Sequence, residues 1–412
     1  MNKKLNAEQQ RGLQILETGS NVFLTGNAGT GKSFLLNAFV EKMKAAGKNI
    51  IVAAPTGVAA INVKGTTVHR AFSIPINVVG PTENVKVPGH IKSADIVIID
   101  EVSMLRCDTF FFICRVLAAA QKKIQLVVVG DFFQLPPVFP QKDRTALSAL
   151  YGGYDFQEGY AFVTKAWRSM NFKPIVLTQV VRQSDAAFVK ALNDVRMGIT
   201  SGAAQIQKMT NAAWIEGGIY LCSRNKVADD FNRQQLCRLN SKAVTYTAES
   251  SGKVGNGDKI VADEIMLKVG ARIIMCVNDT ICDLYQNGSL GTIVDLNSDS
   301  IVVNFDNGHK GVQIGRYTWK IKSYQVENGH VYPKTVGEYI QLPVKLGYAI
   351  TIHKSQGQTY DKVNIAPDCF CSGQLYVALS RGKTPKGIHL TGTIKPEWLM
   401  ASSKVKTFYA NL

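Results

Sequence analysis

The stretch from Asn21 to Phe39, NVFLTGNAGTGKSFLLNAF, constrains this chain more than any other. An apolar run, Val22 to Leu24, enters a glycine-rich turn, and Leu35, Leu36, Phe39, Val40 and Met43 leave it at helical spacing. That is strand, loop, helix. Within the loop Gly26, Gly31, Lys32 and Ser33 fit a phosphate-binding P-loop. Glycines let backbone N–H groups converge on the phosphates, the lysine reaches the β- and γ-phosphates, and the hydroxyl binds Mg²⁺. The helix adds the positive end of its dipole. A nucleoside triphosphate with Mg²⁺ is the expected ligand, held along Gly26, Ala28, Gly29, Thr30, Gly31, Lys32 and Ser33.

Downstream apolar runs continue an α/β pattern, each ending in groups suited to a ligand at the carboxyl edge of a sheet. Ile50 to Ala53 leads into APTGVAA, with Thr56 as a hydroxyl donor, and GTTVHRAF follows with His69 and Phe72. Phosphate contact and base stacking are open to His69, Arg70 and Phe72, as is a helix start with Phe72 in the core. Ile96 to Ile99 ends in Asp100 and Glu101, a pair suited to holding Mg²⁺ and to taking a proton from attacking water. Leu105 to Leu117 reads as a helix with Arg106 and Arg115 in solvent. Leu126 to Val129 runs into GDFFQLPPV, where Gln134 projects from a proline-stiffened turn. Arg182 in LTQVVRQ and Arg381 in GQLYVALSRGKT are candidate arginine fingers. LGYAITIHKSQGQT ends an apolar strand in His353, Lys354, Ser355 and Gln356, donors suited to phosphates.

A length of 412 residues suits two domains plus an insertion. Ser73 to Lys92, rich in proline and glycine, reads as an irregular excursion from the first domain. From Lys253 to about Tyr339, short β runs are separated by Asn287-Gly288, Asn307-Gly308 and Asn328-Gly329, each a hairpin signal. This reads as a small SH3-like β-barrel inserted in the second domain. The expected division is 1–172, then 173–252 with 340–412, and 253–339 as the insert.

The charge balance narrows the partner. The chain carries 47 basic and 31 acidic residues, a net +16, and its last 112 residues hold 14 basic against 6 acidic. A localised surplus favours a polyanion such as nucleic acid. The eight cysteines show no CxxC pair and no zinc spacing, which argues against a structural metal site and for buried thiols in a reducing compartment. The first residues have no signal-peptide core, and no apolar run reaches the ~18 residues of a membrane span. A soluble, cytoplasmic-type protein is expected.

In order, the P-loop, APTGVAA, DEVSM, GDFFQLPP, VVRQ, TIHKSQGQT and YVALSR closely resemble the superfamily 1 helicases of the Pif and RecD-like group, over nearly the whole chain. The resemblance implies an α/β fold of two RecA-like P-loop domains with ATP between them. A small wedge insertion lies in the first and an SH3-like domain in the second. It implies movement 5′ to 3′ on single-stranded DNA and unwinding of tailed or forked duplexes in genome maintenance. G-quadruplexes are a further candidate substrate, and the free protein is expected to be a monomer. By motif, Gln9 reads adenine, Lys32 and Ser33 hold phosphate and Mg²⁺, and Asp100 and Glu101 are metal ligand and base. Gln134, Arg182 and Arg381 sense the γ-phosphate, with Gly357 nearby. Thr56, His69, Phe72, Asn225, Thr351, His353, Lys354 and Ser355 fall at DNA-contacting positions. The competing reading is a DNA-stimulated ATPase that remodels protein–DNA complexes without separating strands.

Overall fold

Six strands build the first sheet: β1 (Val22–Gly26), β2 (Ile50–Ala54), β3 (Thr66–Thr67), β4 (Ile96–Ile99), β5 (Gln125–Val129) and β6 (Lys173–Leu177). They pair in parallel in the order β3-β2-β4-β5-β1-β6. The structure, a computed structural model, describes residues 4–75, 78–139, 141–151, 158–183, 185–279, 281–282, 284–327 and 330–412. Helical crossovers cover both faces of a parallel sheet, so β1, β4 and β5 are buried along their length. Side-chain alternation then divides the interior. Val22, Leu24, Ile96, Ile98, Val127 and Val129 pack with Leu16, Leu35, Leu36 and Phe39, while Phe23, Val97, Ile99, Leu126 and Val128 face Phe110, Ile113 and Trp167.

Helix Ala7–Glu17 begins with a capping box: the Gln9 N–H donates to Asn6 Oδ1 at 2.8 Å, and the Asn6 N–H donates to Gln9 Oε1 at 3.1 Å. Arg106 is not solvated as expected. It forks onto Asp108 from Nε at 2.6 Å and Nη2 at 2.8 Å, because Asp108 is fully buried and needs a counter-charge. Asp108 Oδ2 also accepts from the Val79 N–H at 2.8 Å, which pins the Ser73–Lys92 excursion to helix Cys107–Ala119.

The expected division shifts at three places. β6 falls in the second domain of the expected division, yet it pairs with β1 at the edge of the first sheet. Apolar spacing shows a strand without showing which sheet it joins. The chain's end also returns to the first domain, where Val405, Phe408 and Tyr409 of helix Ser403–Ala410 join the core around Phe23. The second sheet starts with β7 (Ile219–Cys222), after which the chain leaves for the insert.

The insert comprises β8 (Val244–Thr247), β9 (Glu249–Gly252), β10 (Glu264–Leu267), β11 (Arg272–Met275), β12 (Leu290–Leu296), β13 (Ser300–Phe305), β14 (Val312–Gly315), β15 (Tyr317–Glu327), β16 (His330–Gln341) and β17 (Val344–Leu346). Its own core holds Tyr246 and Val344, so its limits lie outside the expected 253–339. β8 and β9 are short and polar, which hid them in the sequence. A five-stranded antiparallel sheet runs β14-β13-β12-β11-β17, with a second sheet β15-β16-β9. Among the described pairings β14 and β17 remain open edges, so the expected barrel is not closed by hydrogen bonds. The Asn287-Gly288 and Asn307-Gly308 signals fall between paired strands, whereas Asn328-Gly329 lies outside the described residues. Arg70 and Asp258, 2.5 Å apart, tie the insert to the first domain.

The chain then re-enters the second sheet through β18 (Ala349–Thr351), β19 (Val363–Ile365) and β20 (Ile388–Leu390), parallel in the order β18-β7-β19-β20. Behind the P-loop the two domains meet in a buried knot. Arg196, at the end of helix Ala186–Arg196, donates to fully buried Asp131 from Nε at 3.1 Å and Nη2 at 2.8 Å. Its guanidinium lies 4.0 Å over the Phe133 ring. The Tyr409 hydroxyl sits 2.6 Å from Thr25 Oγ1 and accepts from the Phe132 N–H at 3.2 Å. Arg196→Ala leaves the Asp131 carboxylate buried without its forked counter-charge, held only by the Phe133 N–H at 3.1 Å and the Tyr409 hydroxyl at 3.3 Å. The expected loss is about 3–5 kcal/mol in urea unfolding, and Arg196→Ala combined with Asp131→Asn should lose less than the two single losses together.

Candidate active site between the two domains

The P-loop leaves β1 through glycines at φ +147° (Gly26), +79° (Gly29) and +82° (Gly31). A side chain at Gly29 would meet Cβ of Arg182 at 2.6 Å, so the second half of the site approaches here only because the residue is glycine. The Val181 and Arg182 N–H groups donate to the Gly29 carbonyl at 2.8 and 3.2 Å. The Ala28 N–H, an expected phosphate donor, donates to the Tyr376 hydroxyl at 2.8 Å. Lys32 Nζ turns back on its own loop, donating to the Gly26 and Asn27 carbonyls at 2.9 and 3.0 Å. Burial lowers the pKa of that ammonium, while Asp131, Glu101 and Asp100 oppose the shift.

β4 delivers the acids. Burial, reinforced by Glu101, pushes Asp100 up to about 7. Glu101 is also raised by burial, against the pull of Lys32 and Arg381. Its backbone is at φ +53°, a left-handed conformation unusual for a non-glycine residue. This strained turn carries its carboxylate to the seam, where Gln356 Nε2 of the second domain donates to Glu101 Oε2 at 2.9 Å and to Gln134 Oε1 at 3.2 Å. Gln356 was grouped with donors for phosphate; instead it bridges the expected base and the expected γ-phosphate sensor. Its own Oε1 is buried without a partner among the described residues.

Arg182 and Arg381 face these groups. Arg381 is 1% exposed, and its guanidinium donates to the carbonyls of Val377, Ser355 and Gln358 and to Ser380 Oγ. Burial and the neighbouring Arg182 bring it down to about 10, against the pull of Glu101. A cavity of about 200 Å³ is lined by Ala28, Gly29, Gly31, Lys32, Ser33, Asp100, Glu101, Gly130, Gln134, Arg182, Gly357 and Arg381. Residues from P-loop to YVALSR, scattered along the chain, thus share one wall-to-wall space. It adjoins a cleft of about 900 Å³ through Ser33, Asp100, Glu101 and Gly357. Thr30 instead turns its hydroxyl to the Asn27 carbonyl at 2.9 Å. Gln9 is buried against the loop, with Nε2 on the Thr30 carbonyl at 3.3 Å, so pairing with adenine requires it to exchange that contact.

The expected DNA residues separate into two groups. Phe72 is fully buried in the first core and offers no face to a base, which corrects the stacking expectation. Thr351 and Ser355 are buried too: Thr351 Oγ1 accepts from the Lys354 N–H at 3.4 Å and Ser355 Oγ donates to the Ile352 carbonyl at 2.8 Å, so both shape the turn. Asn225 and Lys354 are exposed, and Thr56, His69 and His353 are half-buried. Burial lowers the pKa of both imidazoles, His69 further so beside Arg106.

Two RecA-like α/β domains closing arginines onto a P-loop define a two-domain motor ATPase. The PIF1-like helicase family matches residues 4–206. The ATP-dependent DNA helicase Pif1 of Campylobacter jejuni is 31% identical over 91% of this chain and 89% of its own length. Among solved structures, Bacteroides Pif1 in complex with ADP-AlF4 superposes with a TM-score of 0.87 at 31% identity, covering 100% of this chain and 97% of that one. Bacteroides Pif1 bound to single-stranded DNA gives 0.72 at 32% identity with the same coverage. The chain belongs to the PIF1-like helicases.

Removing the Gln356 amide frees the Glu101 carboxylate and leaves Gln134 without its partner. Gln356→Ala is expected to lower kcat for ATP about ten- to a hundredfold with a smaller change in KM, read by steady-state turnover at saturating single-stranded DNA.

Proposed function

We propose that this chain is an ATP-driven motor that moves 5′ to 3′ on single-stranded DNA and separates the duplex ahead of it. The observation that carries this reading is the cavity shared by Lys32, Ser33, Asp100, Glu101 and Gln134 of one domain and Arg182, Gly357 and Arg381 of the other. Nucleotide bound there touches both domains, so its arrival and hydrolysis alter their closure. The P-loop amides and Lys32 bind the β- and γ-phosphates, Arg182 and Arg381 stabilise charge on the γ-phosphoryl group, and Glu101 accepts the proton of the attacking water. Gln134 orients that water and reports on the γ-phosphate through Gln356.

Mg²⁺ fits this site. Asp100 is a buried carboxylate crowded by Glu101, and Ser33 presents its hydroxyl to the same space, an all-oxygen donor set. Among the described residues no group of three His, Cys, Asp or Glu is gathered that could hold a metal ion, which leaves the remaining ligands to water and phosphate. When bound, the ion neutralises charge on the phosphates.

Asn225 and Lys354, with Thr56, His69 and His353, are the DNA contacts this reading keeps. Tailed and forked duplexes are the expected substrates, G-quadruplexes a further one, and backbone contacts predict weak sequence preference. No helix among the described residues is long and apolar enough to cross a membrane.

The test is a strand-release assay on duplexes tailed at the 5′ or the 3′ end. Release from the 5′-tailed duplex alone is expected; release from neither would leave the remodelling ATPase as the better reading. Lys32→Ala should slow DNA-stimulated ATP turnover at least about a hundredfold, and unimpaired turnover would overturn the site.

A further inference from the structure

Phe370 is an exposed ring on a rigid mount. It keeps 51% of its surface exposed in the loop that follows β19, at the carboxyl edge of the second sheet. Its N–H donates to Gln374 Oε1 at 2.9 Å, and Gln374, fully buried, reaches the Ser223 carbonyl through Nε2 at 3.5 Å. Ser223 Oγ donates to Asp368 Oδ2 at 3.3 Å. The loops leaving β7 and β19 are therefore held in register by one buried amide. From the first of them exposed Arg224 brings its guanidinium carbon to 5.6 Å from the Phe370 ring centroid, and exposed Asn225 follows it. Arg224 has no carboxylate partner among the described residues. Any side chain at Gly373, which ends the Phe370 loop, would collide with the carbonyls of Phe133 and Gln134. The ring thus stands at the seam between the domains.

A half-exposed phenyl ring contributes little to folding where it is, and its neighbour is an unpaired cation. Aromatic faces accept any nucleobase, guanidiniums accept phosphate, and the two side by side match the repeating unit of a single strand. We propose that Phe370 and Arg224 form a stacking step for one nucleobase and its phosphate of single-stranded DNA on the second domain. This rests on the DNA-motor reading above.

The experiment measures Kd by fluorescence anisotropy, at several fixed salt concentrations, for an oligothymidine of about fifteen nucleotides and for a matched oligonucleotide of abasic residues. Phe370→Ala and the volume-keeping Phe370→Leu are expected to weaken oligothymidine binding about five- to a hundredfold, with Phe370→Tyr and Phe370→Trp restoring it. On the abasic strand the penalty should vanish. Phe370→Ala should leave the slope of log Kd against log salt as in the wild type, whereas Arg224→Gln should lower it by about one. Folded Phe370→Ala or Phe370→Leu binding oligothymidine like the wild type, or losing as much on the abasic strand, would overturn the stacking step. If the wild-type protein bound neither strand, the DNA-motor reading itself would fail, a distinguishable outcome.

Discussion

Like charges are buried in pairs on either side of one seam, and much of the molecule exists to make that tolerable. Burial and Glu101 raise the proton affinity of Asp100 on the first domain, while burial and Arg182 lower that of Arg381 on the second. Neither pair has a sufficient partner within its own domain. Glu101 is eased by Lys32 and by Arg381 from across the seam, and Arg381 in turn by Glu101. Burying a charge without compensation costs several kcal/mol, so closure of the domains and the ionisation of these groups are one problem. On the proposed reading, a nucleotide with its metal ion would answer it, the phosphates offering charge to the arginines and the cation to the acids.

The polar contacts at the seam are substitutes of the kind a phosphate replaces. Lys32 donates to two carbonyls of its own loop, the Ala28 N–H donates to a tyrosine hydroxyl, and Arg381 is spread over carbonyls of its own domain. Each is a neutral acceptor in the place where a charged oxygen would bind more strongly. Gln356 differs from these because it acts between protein groups. It follows the exposed Lys354 in the same turn, so one short segment has a residue proposed to contact DNA and an amide on the expected base.

How much of this was legible in the sequence depends on the kind of information each feature carries. The lining of the candidate cavity could be read almost residue by residue, since a phosphate site needs glycine, lysine, hydroxyl and carboxylate at strand ends, and apolar runs mark the strand ends. What local pattern does not carry is the partner across the fold. Lys173–Leu177 reads as a strand but joins the first sheet, Arg106 looks solvated until buried Asp108 is placed beside it, and Phe72 looks available until the first core closes over it. Thr351 and Ser355 show a subtler limit: hydroxyls beside a nucleic-acid motif serve the turn that displays their neighbours. Gln356 was visible as a polar residue, but only the seam shows what it bridges. Phe370, in a loop whose periodicity is interrupted, had no sequence signal at all.

The ties between the domains are unequal, and the inequality sets where they can move. At the rear, the Arg196–Asp131 pair is buried, forked and stacked on Phe133, and opening it would expose a cost of about 3–5 kcal/mol. At the front, Gln356 contributes hydrogen bonds whose net worth is about 0.5–3 kcal/mol each, the upper end belonging to its bond to the Glu101 carboxylate. The front contacts can be exchanged for nucleotide within a cycle, whereas the rear contact has nothing to exchange with, since helix Ser403–Ala410 covers it with Phe408 and Tyr409. On the proposed motor reading, these magnitudes would place the stiffer tie at the rear knot and the more exchangeable one at the cavity. The chain's last helix returns to the first domain at this knot, where the Tyr409 hydroxyl ties Thr25 of β1, at 2.6 Å, to the Phe132 N–H beyond β5, at 3.2 Å.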